Sequence, residues 1–210
     1  STSLSGSIAE LGQSGLQGVE MAASDLNANG GVLGKKVKVV SADDNVDPAT
    51  GSTNARNMIL QDHAVALFGP VSSAVAAAEE TVAAQYKTPI FFHTSNDASL
   101  LTTSFTKYAF QDVPNTTMEP RAVAAYLAKR APGKQITVAT FAPDYSFGHD
   151  SVTGFLDALK ALHVNYKLVD QQFPQLGETN IAPYLSKLVA ASPDYVYNAQ
   201  YGGDLVTFTK

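Results

Sequence analysis

The sequence predicts an α/β protein of two lobes, each an open, mostly parallel sheet with helices against it, and three observations carry that expectation. Short apolar runs alternate with longer segments of helical periodicity, the spacing of repeated βα units. Two of these runs, residues 64–68 (AVALF) and 88–92 (TPIFF), end in polar turns. Parallel pairing would open both turns at one sheet edge, where open α/β sheets hold ligands. A proline-containing break at residues 112–115 (DVPN) separates two such series and sets the expected lobes at residues 1–113 and 114–210.

In the first lobe, Ile8, Leu11, Leu16, Val19, Ala23 and Leu26 recur at helical spacing, and Asn29-Gly30-Gly31 ends the pattern because glycine accepts left-handed turns without a Cβ penalty. Residues 36–40 (KVKVV) alternate and then lose their charges, which predicts a strand entering a covered sheet. Pro48 suits the first turn of a helix over residues 49–62. The strand at 64–68, the Gly69-Pro70 turn, an alanine-rich helix, the strand at 88–92 and a short strand at 108–110 follow. The second lobe reads as helix 119–130, strand 135–141, helix 151–162, strand 166–173, helix 180–191 and strand 195–199. Residues 1–6 read as the loop after a strand, and the helical pattern opened by Gly203-Asp204 stops at Lys210. Both lobes are therefore expected to be incomplete and the chain truncated at both ends.

Composition removes several function classes. A formal charge of −5 and a pI near 5.2 oppose a nucleic-acid partner, which needs clustered Lys and Arg. No run approaches the ~18 consecutive apolar residues of a membrane span. Cysteine is absent, which excludes disulfides and thiolate chemistry. His63, His93, His149 and His163 are scattered, with neither an HExxH motif nor a GxSxG elbow. Gly31-Val32-Leu33-Gly34 precedes a strand instead of following one and does not meet the dinucleotide fingerprint. The expectation is a protein with no enzymatic activity, no metal and no cofactor.

Candidate binding residues cluster in the turns. Ser72 and Ser73 stand at a helix start, where a hydroxyl either caps the helix or is shared with a ligand oxygen. Thr94, Ser95 and Asn96 offer hydroxyl, backbone and amide groups in the next turn, although turn propensity accounts for such residues equally well. His93, beside that turn, is either a ligand donor or a strand-end residue. In the second lobe Phe147 follows a strand and either covers an apolar ligand or packs its own core. Tyr201 and Gly202 have the same placement after the last strand, with the glycine either exposing backbone N–H groups or only making the turn.

Residues 3–51, then 66–75 (ALFGPVSSAV), 88–97 (TPIFFHTSND), 143–150 (PDYSFGHD) and 201–206 (YGGDLV) resemble, in order and spacing, the type I periplasmic substrate-binding proteins. The resemblance is to the branched-chain amino-acid and aromatic-acid binding group of ABC importers, which is Leu/Ile/Val-binding-protein-like. It implies an exported protein, periplasmic or lipid-anchored outside the cytoplasm, with two α/β lobes of three-layer architecture closing on one small molecule in an interlobe cleft. It further implies delivery to an ABC permease of the inner membrane, no catalysis, and a monomer or weak homodimer. A ligand-sensing regulatory domain of the same fold is the alternative.

By the same resemblance Ser73 receives a ligand carboxylate, Val71 lines the wall beside it, and the Thr94 backbone contacts the charged end. Asn96 replaces a residue that is usually a hydroxyl. Leu11 and Phe147 stand at positions that are often tyrosine, and Tyr201 lines the second-lobe wall. Two lost phenolic hydroxyls make the wall drier, so the expected ligand is a carboxylate with an apolar or aromatic body, an aromatic acid or a branched-chain or aromatic amino acid. The family's acidic, ammonium-binding residue would lie beyond Lys210.

Overall fold

Alternating apolar and helical segments become parallel strands joined by helices in the structure, a computed structural model that describes residues 1–210. The chain divides into two units, Ser1–Val113 and Pro114–Lys210.

Unit 1 contains helices α1 (Ala9–Ala28), α2 (Pro48–Leu60) and α3 (Ser73–Tyr86), with strands β1 (Leu67–Phe68), β2 (Ile90–Phe92) and β3 (Ala109–Gln111). The strands form one parallel sheet in the order β1-β2-β3. Side chains alternate across it as the two-residue period requires. Leu67, Ile90, Phe92 and Ala109 pack against Ala55 and Met58 of α2 and Ala76 and Ala83 of α3. On the other face Phe68, Phe91 and Phe110 stack with ring centroids 5.1 Å apart, and Phe68 and Phe110 remain about half exposed. Pro48 opens α2, where the Asp47 carboxylate accepts the Thr50 N–H.

One expected strand does not form. Residues 36–40 lie outside any sheet, flanked only by isolated bridges between Val32 and Lys35 before them and between Thr2 and Asp43 after them. The Asn27 carboxamide of α1 occupies the backbone at Val37 instead, accepting its N–H at 2.7 Å and donating to its carbonyl at 2.8 Å. A side chain thus satisfies groups that a strand would direct to a neighbour.

Unit 2 contains α4 (Met118–Arg130), β4 (Ile136–Phe141), α5 (Ser146–Ala161), β5 (Tyr166–Gln172), α6 (Ala182–Ala191), β6 (Tyr195–Asn198) and α7 (Gly202–Thr209). Its parallel sheet has the order β5-β4-β6, with a register irregularity at Val138/Ala139. Central β4 is covered on both faces. Val138 meets Leu127 of α4 and Phe155 and Leu159 of α5, while Ala139 and Phe141 meet Leu188 of α6 and Phe208 of α7. Unit 2 therefore has three layers.

Helix α5 begins at Ser146, five residues before the expected Ser151. Its first turn is drawn tightly against the preceding loop, because a Cβ on Gly148 would collide with the Pro143 carbonyl. The DYSFG run is consequently helix start and not only turn.

Candidate functional site

In unit 1 the parallel pairing of β1 and β2 brings both predicted turns to one sheet edge. Ser95 is fully buried, and its hydroxyl donates to the Pro70 carbonyl at 2.7 Å, with the Val71 carbonyl at 3.2 Å. That hydroxyl is committed to joining the turns. Ser72 occupies the N-cap position of α3 in extended geometry, yet its side chain makes no capping bond. Ser73 is the first helical residue, buried, and its Oγ accepts the Asp97 N–H at 3.3 Å. Val71 is buried beside them. The first-turn N–H groups of α3 have no partner within the helix and carry its positive dipole end.

The second turn is braced from β3, where the Gln111 carboxamide donates to the carbonyls of Ser95 at 2.9 Å and Asp97 at 3.4 Å. Thr94 and Asn96 are half-buried beside Ser95. The Thr94 hydroxyl pairs with Nδ1 of His93 at 2.7 Å, and burial holds the half-buried imidazole below its usual pKa, favouring the neutral ring. That ring packs on α1 at Gly15, where a Cβ would strike it. Leu11 lies one helical turn before Gly15 and so shares the face that His93 meets. Helix α1 is itself pressed against the Ser3 carbonyl at Gly12, and the Ser3 hydroxyl donates to buried Asp44 at 2.8 Å.

In unit 2 the neighbours β4 and β6 deliver two more strand-to-helix turns to a common edge. Tyr145 and Tyr201 are the N-cap residues of α5 and α7, and their hydroxyls lie 2.6 Å apart. Phe147 is buried between them. Its ring meets Tyr201 edge-on at 5.5 Å and Tyr145 at 5.8 Å. Burial pushes the Tyr201 pKa up to about 12, so the phenol stays neutral. Gly202 follows with φ +55°, and buried Asp204 accepts the Gly177 N–H at 2.8 Å, tying the loop after β5 to α7.

Sequence reading missed Gln111 and Tyr145. Nothing local marks Gln111, whose role depends on β3 lying beside β2. Tyr145 sits two residues before Phe147 in the DYSFG run, and that aromatic pairing was its available signal. No group of three or more His, Cys, Asp or Glu residues is arranged to hold a metal ion.

The chain as a whole has counterparts among known proteins. The sequence profile of the family described as "Periplasmic binding protein" matches residues 1–210. Leu/Ile/Val-binding protein homolog 7 of Brucella abortus is 28% identical over 211 residues, covering 97% of this chain and 52% of the relative. The chain thus spans about half the length of the curated relatives it matches. A periplasmic binding protein from Burkholderia mallei superposes with a TM-score of 0.88 at 25% identity, over 98% of this chain and 53% of that one. A solute-binding protein of an ABC transporter from R. palustris, solved in complex with benzoate, superposes with a TM-score of 0.86 at 23% identity, over 100% and 56% of the two chains. With all 210 residues matched, the chain belongs to the periplasmic binding protein family, a family of periplasmic proteins that bind ligands and do not catalyse reactions.

Proposed function

We propose that this protein captures a small carboxylate-bearing solute with an apolar or aromatic body and delivers it to an ABC permease of the inner membrane. The observation that carries this reading is the buried Ser73 hydroxyl at the first turn of α3, on the edge where the two unit 1 turns meet. A carboxylate seated there accepts from Ser73 and from backbone N–H groups, charge-assisted bonds that the helix dipole strengthens. The Thr94 backbone and Asn96 complete the polar end, and Leu11 and Val71 border it.

Unit 2 supplies the apolar wall through Phe147 and Tyr201. Removing the ligand's body from water contributes about 25 cal/mol per Å² before the costs of ordering. An aromatic acid is favoured over an amino acid, because Phe147 and the neutral Tyr201 phenol suit an uncharged ring better than an ammonium group. The benzoate complex of the R. palustris protein supports that choice, and the name of the Brucella relative keeps branched-chain amino acids as the comparison class. Closure of the two lobes around the ligand would exclude water and create the surface a permease recognises.

Native mass spectrometry of the gently purified full-length protein tests the ligand class, followed by calorimetric titration with benzoate and with leucine. Tighter binding of benzoate is expected. Binding of leucine alone would replace the aromatic-acid reading, and binding of neither would overturn it.

A further inference from the structure

His93 is held from two sides in unit 1. It directly follows β2, and its Nδ1 lies 2.7 Å from the hydroxyl of Thr94, the next residue. The imidazole also packs against α1 at Gly15, where an added Cβ would strike Cε1, Nε2 and Nδ1. Gly15 has no positive φ, so the close approach of the ring, and not backbone geometry, requires glycine there. The charged groups acting on the ring are Asp112, just past β3, and the amino group of Ser1, while α1 meets it through uncharged Gly15. A neutral imidazole can satisfy Thr94 in two ways. With the ring proton on Nε2, Nδ1 accepts and the Thr94 O–H is consumed. With the proton on Nδ1, the ring donates and the Thr94 O–H turns outward. The imidazolium, protonated on both nitrogens, permits only the second arrangement.

A carboxylate accepts and never donates, so one seated at the Thr94 end matches the outward hydroxyl alone, and its negative charge favours the imidazolium. We propose that His93 is a positioning residue that couples solute capture to proton uptake, its protonation turning the Thr94 hydroxyl towards the ligand's carboxylate. The proton comes from solvent and occupies the ring nitrogen left bare in the neutral form. This rests on the carboxylate reading above and gives His93 a role in it other than ligand contact. Burial holds the empty site's imidazole below its usual pKa, so the ring is neutral before the solute arrives. A bound carboxylate raises that pKa. Affinity for a carboxylate therefore increases as pH falls through the imidazole range, because the complex binds a proton that the empty site does not.

The test is calorimetric titration of the full-length protein with benzoate and with leucine at about pH 5.5 and about pH 8, where both carboxylates stay ionised. Running each titration in two buffers of different ionisation enthalpy reads the protons taken up per ligand. Wild type is expected to bind benzoate about tenfold more tightly at the lower pH, the equivalent of a one-unit rise in pKa, with net proton uptake. His93→Asn keeps a hydrogen-bonding group near the Nδ1 position but cannot titrate, so it should abolish both the pH step and the uptake while benzoate still binds. Gly15→Ala crowds the ring without removing it and should blunt the step, and it carries the test should His93→Asn not fold. Benzoate binding that is independent of pH, or a step that persists in His93→Asn through groups such as Glu79 and Glu80, overturns the coupling and leaves the carboxylate reading standing. The same step with leucine alone supports the coupling while replacing the aromatic-acid reading. Binding of neither acid at either pH removes the carboxylate reading and the coupling together.

Discussion

The buried hydroxyl of Ser95 donates to the carbonyl of Pro70 across two consecutive crossover turns, at 2.7 Å. Ser95 therefore fixes the turn that leads into Ser73, where the carboxylate seat is proposed. Ser95→Ala leaves the Pro70 carbonyl without that donor, a loss of about 1–3 kcal/mol for a buried group. Urea denaturation should show the lower midpoint at unchanged m-value, and titration should show weaker ligand binding. Unaltered stability would mean that the two turns hold their geometry without this bond.

Ser73→Ala should leave the fold nearly intact, since its Oγ makes only a long bond to the Asp97 N–H at 3.3 Å. Loss of one charge-assisted hydrogen bond should weaken carboxylate binding by about 10- to 100-fold. Calorimetric titration of wild type and variant with one acid checks it, and equal dissociation constants would remove Ser73 from the seat.

Phe147→Ala should act on the ligand's body. The ring packs edge-on against Tyr201 at 5.5 Å, and losing it should reduce affinity for an aromatic acid more than for a small aliphatic one, by about 0.5–1.5 kcal/mol beyond the area lost. Equal losses for the two acids would show that Phe147 serves only the packing of unit 2.

Glu79 couples stability to pH. It is buried on α3, its Oε1 has no hydrogen-bond partner, and burial pushes its pKa up to about 8. Its neighbour Glu80, also buried, is raised to about 7 by the same cause. The folded state thus holds protons that the unfolded chain releases near pH 4.5. Their contribution is fully present below that value and is lost as pH rises through about 7 and 8. Glu79→Gln should flatten the decline and raise stability near pH 9 by a few kcal/mol, on the order that such linkage gives. Parallel pH–stability curves for wild type and variant would contradict a protonated buried Glu79.

Two helical glycines should respond oppositely to alanine. Gly18 in α1 has no atom within 4 Å of an added Cβ, so Gly18→Ala should stabilise by about 0.5–1 kcal/mol through helix propensity. Gly148 in α5 would drive its Cβ into the Pro143 carbonyl, and Gly148→Ala should destabilise by about 1–3 kcal/mol despite the same propensity gain. Thermal melts of the two variants compare the signs directly.

The linear sequence by itself determined the order of strands and helices, because hydrophobic period and turn residues are local properties. Leu67 and Ile90 before their polar turns, Pro48 at a helix start and the apolar run of β4 were all legible there. Ser72, Ser73, Ser95 and Asn96 were equally legible as turn residues. Their division of labour was not, since a hydroxyl's role depends on which carbonyl or N–H the neighbouring strand brings to it. Only the parallel register of β1 and β2 commits Ser95 to Pro70, and only the adjacency of β4 and β6 joins Tyr145 to Tyr201, a residue 56 positions away. The alternation at residues 36–40 looked like a strand, but a strand requires a partner backbone, and Asn27 supplied a side chain instead. Periodicity encodes which face of an element is apolar, whereas tertiary packing decides which polar groups meet, because hydrogen bonds are directional and short-ranged while hydrophobic burial is neither.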